Sequence, residues 1–158
     1  MTGRSGTSRV RSSLRRQGPS LHVQRASRAS HIPSDTTLRK WTRAAGVDGA
    51  VTVRYVGEAE SRRLNREFRR KDYATNVLSF PYSAKPVEGD LVICAPVVAR
   101  EARRQGKSVR AHHAHMLVHG LLHLAGFDHE REREAARMEA RERTVLARLG
   151  FPDPYEVA

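Results

Sequence analysis

From Pro33 onward the apolar side chains fall into runs of helical and strand period that succeed one another along the chain. Ser34 stands where a helix N-cap belongs, Leu38, Trp41 and Ala45 follow at helical spacing, and Gly46 supplies the stop. Trp41 reads as a core anchor. Val51, Val53 and Tyr55 then alternate with Thr52 and Arg54, as a half-buried strand requires, and Leu64 and Phe68 mark the inner face of a second helix. Val77 to Phe80 and Asp90 to Cys94 predict two further strands, separated by a loop holding Pro81, Pro86 and Gly89. Leu21 to Gln24 adds a short first strand.

Pro96 suits the first turn of a helix that ends near Gly106. Beyond it, Val109 to Ala125 carries Met116, Leu117, Val118, Leu121, Leu122 and Leu124 around nearly its whole circumference, so this helix belongs at the buried centre. A last helix runs from about Glu130 to Leu149. Ala135, Met138, Val145 and Leu149 turn inward, and its alternating Glu and Arg residues read as a solvated face. Four strands interleaved with helices predict a mixed α/β fold without internal repeats.

The chain has 158 residues, the size of one domain with one core. No apolar run approaches the ~20 residues of a membrane-spanning helix, so a soluble protein is expected. A lone cysteine, Cys94, cannot form an internal disulfide and suits a reducing compartment; following Leu91-Val92-Ile93, it reads as a buried thiol. The formal net charge is +12, yet residues 1 to 30 contain seven arginines and no acid, leaving 22 basic against 17 acidic side chains on the remainder. That residual excess favours a polyanionic partner. Residues 1–19, rich in Arg, Ser and Gly, predict a flexible basic extension ahead of a single domain over 20–158. Their composition also suits a transit peptide, but no amphipathic period supports one.

The chemistry concentrates in His119-Gly-Leu-Leu-His123-Leu-Ala-Gly126-Phe-Asp-His129. Residues 119 and 123 lie one helical turn apart on one face and form a two-point clamp. Gly126 can take a positive φ and turn the chain back, so that His129 approaches the same point. Three neutral nitrogen ligands and one open position describe a catalytic zinc site, here holding one ion. A single histidine at helical spacing would more simply be a hydrogen-bonded core residue, but three in such an apolar setting need partners. His115, one turn before His119, is either a fourth ligand or a residue that packs behind the site. Asp128 either orients a ligand histidine or caps the turn.

The same spacing belongs to metzincin proteases, which need Glu after the first histidine as general base; here that position is Gly120. From His119 to His129 the chain resembles the YbeY family. Leu64-Asn65-Arg-Glu-Phe68-Arg69-Arg-Lys71-Asp72, followed by Thr75-Asn76-Val77-Leu78-Ser79-Phe80-Pro81, is similar to that family's other hallmark, as are Gly89-Asp90 and Met138-Glu139. Ala74 departs from the proline common at its position. The resemblance implies a mixed four-stranded sheet beside a central metal-bearing helix. It also implies a cytoplasmic, zinc-dependent, single-strand-specific endoribonuclease acting in 16S ribosomal RNA 3′-end maturation and ribosome quality control. Ribosomal RNA precursor and the 30S and 70S ribosome would be its partners, His119, His123 and His129 its metal ligands, and Arg69, with His119, its catalytic residues.

Chemistry alone also suits Arg69, since a guanidinium is always charged and matches phosphate in a bidentate fork. Arg69, Arg70 and Lys71 could otherwise be a solvated basic turn. A protein that only docks on RNA during ribosome assembly, with zinc holding its fold, is the alternative from another class.

Overall fold

The computed structural model describes residues 20–156. The expected extension, residues 1–19, lies outside them. The elements run β1 (Ser20–Arg25), α1 (Asp35–Ala44), β2 (Gly49–Val56), α2 (Glu58–Arg69), β3 (Val77–Ala84), β4 (Val87–Cys94), α3 (Ala95–Gln105), α4 (Val109–Leu124) and α5 (Glu132–Arg148). The strands form one mixed sheet in the order β1-β2-β4-β3, with β1, β2 and β4 parallel and β3 antiparallel to β4. The expected mixed α/β architecture is thus a four-stranded mixed sheet packed with five helices among the described residues, an α+β fold.

Local chemistry sets the helix ends. The Ser34 hydroxyl accepts a hydrogen bond from the Thr37 amide at 3.2 Å, and Gly46 and Gly106 take positive φ just past α1 and α3. No helix among the described residues is long and apolar enough to cross a membrane.

Two expectations need correction. No loop separates Phe80 from Asp90: β3 and β4 extend into a hairpin that turns at Lys85-Pro86, with an irregularity between Pro81 and Ser83. Pro81 is tolerated because β3 is the sheet edge, where a missing N–H need not cost a ladder bond. Phe68 does not face inward either, being 59% exposed; Ser61 and Asn65 are the buried residues of α2. These polar groups hold the following segment, the Ser61 hydroxyl donating to Thr75 O at 2.9 Å and the Asn65 amide to Tyr73 O at 2.8 Å.

The main core lies between α4 and the sheet face carrying Val53, Tyr55, Leu91 and Ile93, and is closed by Leu38 and Trp41 of α1 and by Met138 and Val145 of α5. A smaller cluster, Val56, Leu78, Val92, Cys94 and Val97, fills the opposite face, so Cys94 is buried as expected. Two glycines bring α4 close to β4. A Cβ at Gly120 would meet Leu91 Cδ2 at 2.8 Å, and one at Gly89 would meet Leu124 Cδ2 at 2.6 Å. Each element offers a gap for the other's leucine, and that approach sets α4 beside edge strand β3.

Candidate metal centre

Helix α4 leaves the core along one face, where His119 and His123 are half-buried while Gly120, Leu121, Leu122 and Leu124 are buried. Gly126, at φ +100°, reverses the chain, and Phe127 N bonds back to Leu122 O at 3.0 Å. Asp128 then accepts from the amides of His129 at 2.7 Å and Glu130 at 3.1 Å, so of the two roles considered for it the turn cap is the one seen. The turn delivers His129 to the helical pair. One nitrogen from each of His119, His123 and His129 lies within 4.8 Å of the others, and His123 Nε2 and His129 Nδ1 are 2.8 Å apart.

This donor set fits a borderline cation such as zinc. Burial, then the adjacent His119 and His129, hold the His123 pKa below its ordinary value, which keeps its lone pair free for an ion.

Behind the trio stands a carboxylate that the sequence pattern assigns to the solvated face of the last helix. Glu142 of α5 is fully buried, with Oε1 2.5 Å from His119 Nδ1 and Oε2 3.2 Å from His115 Nε2, and it also accepts from the Tyr155 hydroxyl. Burial opposes its charge, but hydrogen bonds from His115, His119 and Tyr155 outweigh that and hold its pKa near 2. An ionised carboxylate only accepts, so His119 carries its proton on Nδ1 and turns Nε2 outward. His115, His119 and Glu142 also form a second donor set within 4.8 Å. In it His115 Nε2 is already engaged by Glu142, which places His115 behind the trio rather than beside it. His112 turns instead to Glu101, whose carboxylate also accepts from Asn76 Nδ2 at 3.1 Å.

In front of the histidines lies a cleft of about 440 Å³, walled by Asn76 to Ser79 and Pro81 of the β3 edge and reached by Arg69. Arg69 gets there because α2 ends on it: Arg70 takes φ 57°, and Lys71 N bonds back to Asn65 O at 3.3 Å. The turn is tied by Arg62, which grips Asp72 at 2.8 and 3.0 Å. Arg69 itself is exposed and makes no salt bridge among the described residues. Two sequence blocks, one basic and one rich in histidine, thus meet across one cleft.

The family model described as endoribonuclease YbeY matches residues 23–150. Proteins named endoribonuclease YbeY from Aromatoleum aromaticum and Methylibium petroleiphilum are each 56% identical to this chain, over 140 and 138 residues. The alignments cover 85% and 86% of this chain and 91% and 92% of those proteins. One from Pseudomonas putida is 53% identical over 145 residues, 85% of this chain and 92% of its own length. The solution structure of a Thermotoga maritima protein shares the fold with a TM-score of 0.54 at 23% identity, covering 86% of this chain and 99% of that one. On the family match and these identities, the chain belongs to the endoribonuclease YbeY family.

Proposed function

We propose that this protein is a zinc-dependent, single-strand-specific endoribonuclease of the cytoplasm that acts in 16S ribosomal RNA 3′-end maturation and ribosome quality control. Its partners would be ribosomal RNA precursor and the 30S and 70S ribosome. The activity in the names of its relatives supports the reaction class. The observation that carries the reading is the shared cleft of Arg69 with His119, His123 and His129.

In this reading the three histidines hold one zinc ion. When bound, the ion supplies a Lewis acid that polarises a phosphoryl oxygen and neutralises charge developing on it. Arg69 grips the scissile phosphate through its planar fork, and its charge is spare because no carboxylate of the described residues pairs with it. His119 faces the cleft with the nitrogen that Glu142 leaves free, so the site needs no rearrangement of that ring when RNA arrives.

Peptidase chemistry fits poorly. The position that would carry the proteolytic base is Gly120, and Leu91, fully buried, fills the space where a side chain would start. A test measures bound metal and then turnover on unstructured RNA, on duplex RNA and on casein. Metal-dependent cleavage of the unstructured RNA alone is expected. Casein cleavage would favour the protease, and RNA binding without turnover would favour a docking factor.

A further inference from the structure

Among the described residues the large apolar side chains left exposed are Phe68, Tyr73 and Tyr82, at 59%, 53% and 70%. All three fall in the stretch that runs from the end of α2 into β3, which also carries the cleft residues Arg69, Asn76 to Ser79 and Pro81. They are interleaved with exposed cations, of which Arg69, Arg70 and Lys71 make no salt bridge among the described residues. Phe68 is the sharpest case. Its ring meets Phe80 edge-on, with centroids 5.2 Å apart and planes at 75°, yet it stays 59% exposed, while Leu64, Ala74 and Phe80 pack on the small cluster beneath. It therefore adds little to the core, and it sits one residue before the arginine that enters the cleft.

We propose that Phe68, braced by Phe80, is a stacking platform for an unpaired nucleobase next to the phosphate gripped by Arg69. The proposal rests on the RNA-cleaving reading above and deepens it. An exposed ring next to unpaired cations is what a single strand requires, because phosphates meet the charges while a base lays its π-face on the ring. Bases inside a duplex are already stacked and paired, so they cannot reach the ring without being pulled out. The platform thus selects single strands by stacking and accepts any base, since every base has such a face.

The test compares wild type with Phe68→Leu, Phe68→Ala and Phe68→Trp. Each is measured for equilibrium binding to a short unstructured RNA, binding to the same strand made abasic throughout, and cleavage of the unstructured RNA against a duplex. Thermal melting reports the fold. Phe68→Leu retains apolar cover but lacks a π-face, so it should melt like wild type and lose about tenfold in affinity for the base-bearing strand, as should Phe68→Ala. Phe68→Trp should retain affinity. All four should bind the abasic strand alike, and the leucine variant should discriminate less between single strand and duplex. A leucine variant that binds like wild type would overturn the platform, and so would an equal loss on the abasic strand. If wild type binds and cleaves RNA but Phe68→Leu changes nothing, only the platform falls. If wild type neither binds nor cleaves RNA, the parent reading falls with it.

Discussion

His119 and Glu142 meet at 2.5 Å across the α4–α5 interface, the histidine opening toward the cleft and the carboxylate fully buried behind it. The carboxylate fixes the ring's tautomer and orientation, a support whose loss in metal sites weakens affinity about 10- to 100-fold. Glu142→Gln should therefore still fold but bind zinc more weakly by that order, measured by competition with a chelator. Glu142→Ala should also lower stability by several kcal/mol, because His115, His119 and Tyr155 lose a buried partner together. Unchanged zinc affinity in both variants would show that His119 needs no support from α5.

Glu142 could have been found in the sequence. The inward positions 135, 138, 145 and 149 leave a gap that 142 fills at the spacing 3, 4, 3, 4, but a glutamate among alternating Glu and Arg reads as one more solvated charge. The partners that make its burial tolerable lie 23 residues upstream and 13 downstream, beyond any local period. The histidine trio was legible because a helical pair, a positive-φ glycine and a short return are all local features. The β3–β4 hairpin was hidden by Pro81 and Pro86, whose reading as loop residues depends on not knowing that β3 is an edge strand. Phe68 departs from its expected face for a related reason: period places a residue on a helix face, but only the packing of α2, held by Ser61 and Asn65, decides which face is inner.

Removing one of three donors should empty the site rather than reshape it. His123→Ala should lose its stoichiometric zinc, because the neighbouring candidate donor His115 already gives Nε2 to Glu142. Elemental analysis after exhaustive dialysis reads the outcome. Retention of one ion per chain would assign the metal to a different donor set, with His115, His119 and Glu142 the first to consider.

Gly120 should resist substitution for a steric reason. A Cβ there would stand 2.8 Å and 3.0 Å from the two methyl carbons of Leu91, which is fully buried and has little room to yield. Gly120→Ala should cost about 1–3 kcal/mol by overpacking, read by denaturant unfolding. Gly120→Glu should be worse and should gain no casein cleavage, despite restoring the protease-like pattern. A peptidase-active glutamate variant would show that the α4–β4 contact adapts and that Gly120 is the sole barrier to proteolysis.

Acid should destabilise the fold partly through His113. Its ring is fully buried, with Nε2 2.8 Å from His31 Nδ1; burial, then His31 and His112, lower its pKa to about 3. Between that value and the ordinary one near 6.5 the unfolded chain binds the extra proton, so stability is present above about pH 6.5 and is lost as pH falls. By pH 5 the loss amounts to about 2 kcal/mol from this group. His113→Phe removes the titration, so its stability should fall less between pH 7 and pH 5 than wild type's. Taking the difference between the two proteins cancels what His119, His123 and His129 contribute. Parallel pH profiles would show that His113 does not set the acid limb.

The prediction that separates mechanism from scaffold concerns Arg69. It arrives from the end of α2, whereas the histidines come from α4 and the turn after it, so its replacement should leave fold and zinc content intact. Because it is exposed and makes no salt bridge among the described residues, its removal strands no buried charge and should cost little stability. If its guanidinium meets charge that grows only in the transition state, Arg69→Ala should slow single-turnover cleavage by ~100-fold or more while weakening RNA binding far less. Arg69→Lys should recover little, since a point charge does not reproduce a planar fork. The measurement is cleavage at saturating RNA, with binding and zinc content determined on the same preparations. Near-normal cleavage by zinc-loaded Arg69→Ala would remove Arg69 from the chemistry. Equal losses in binding and in kcat/KM, with the saturated rate unchanged, would make it a docking contact and leave the phosphate's developing charge to the histidine side of the cleft.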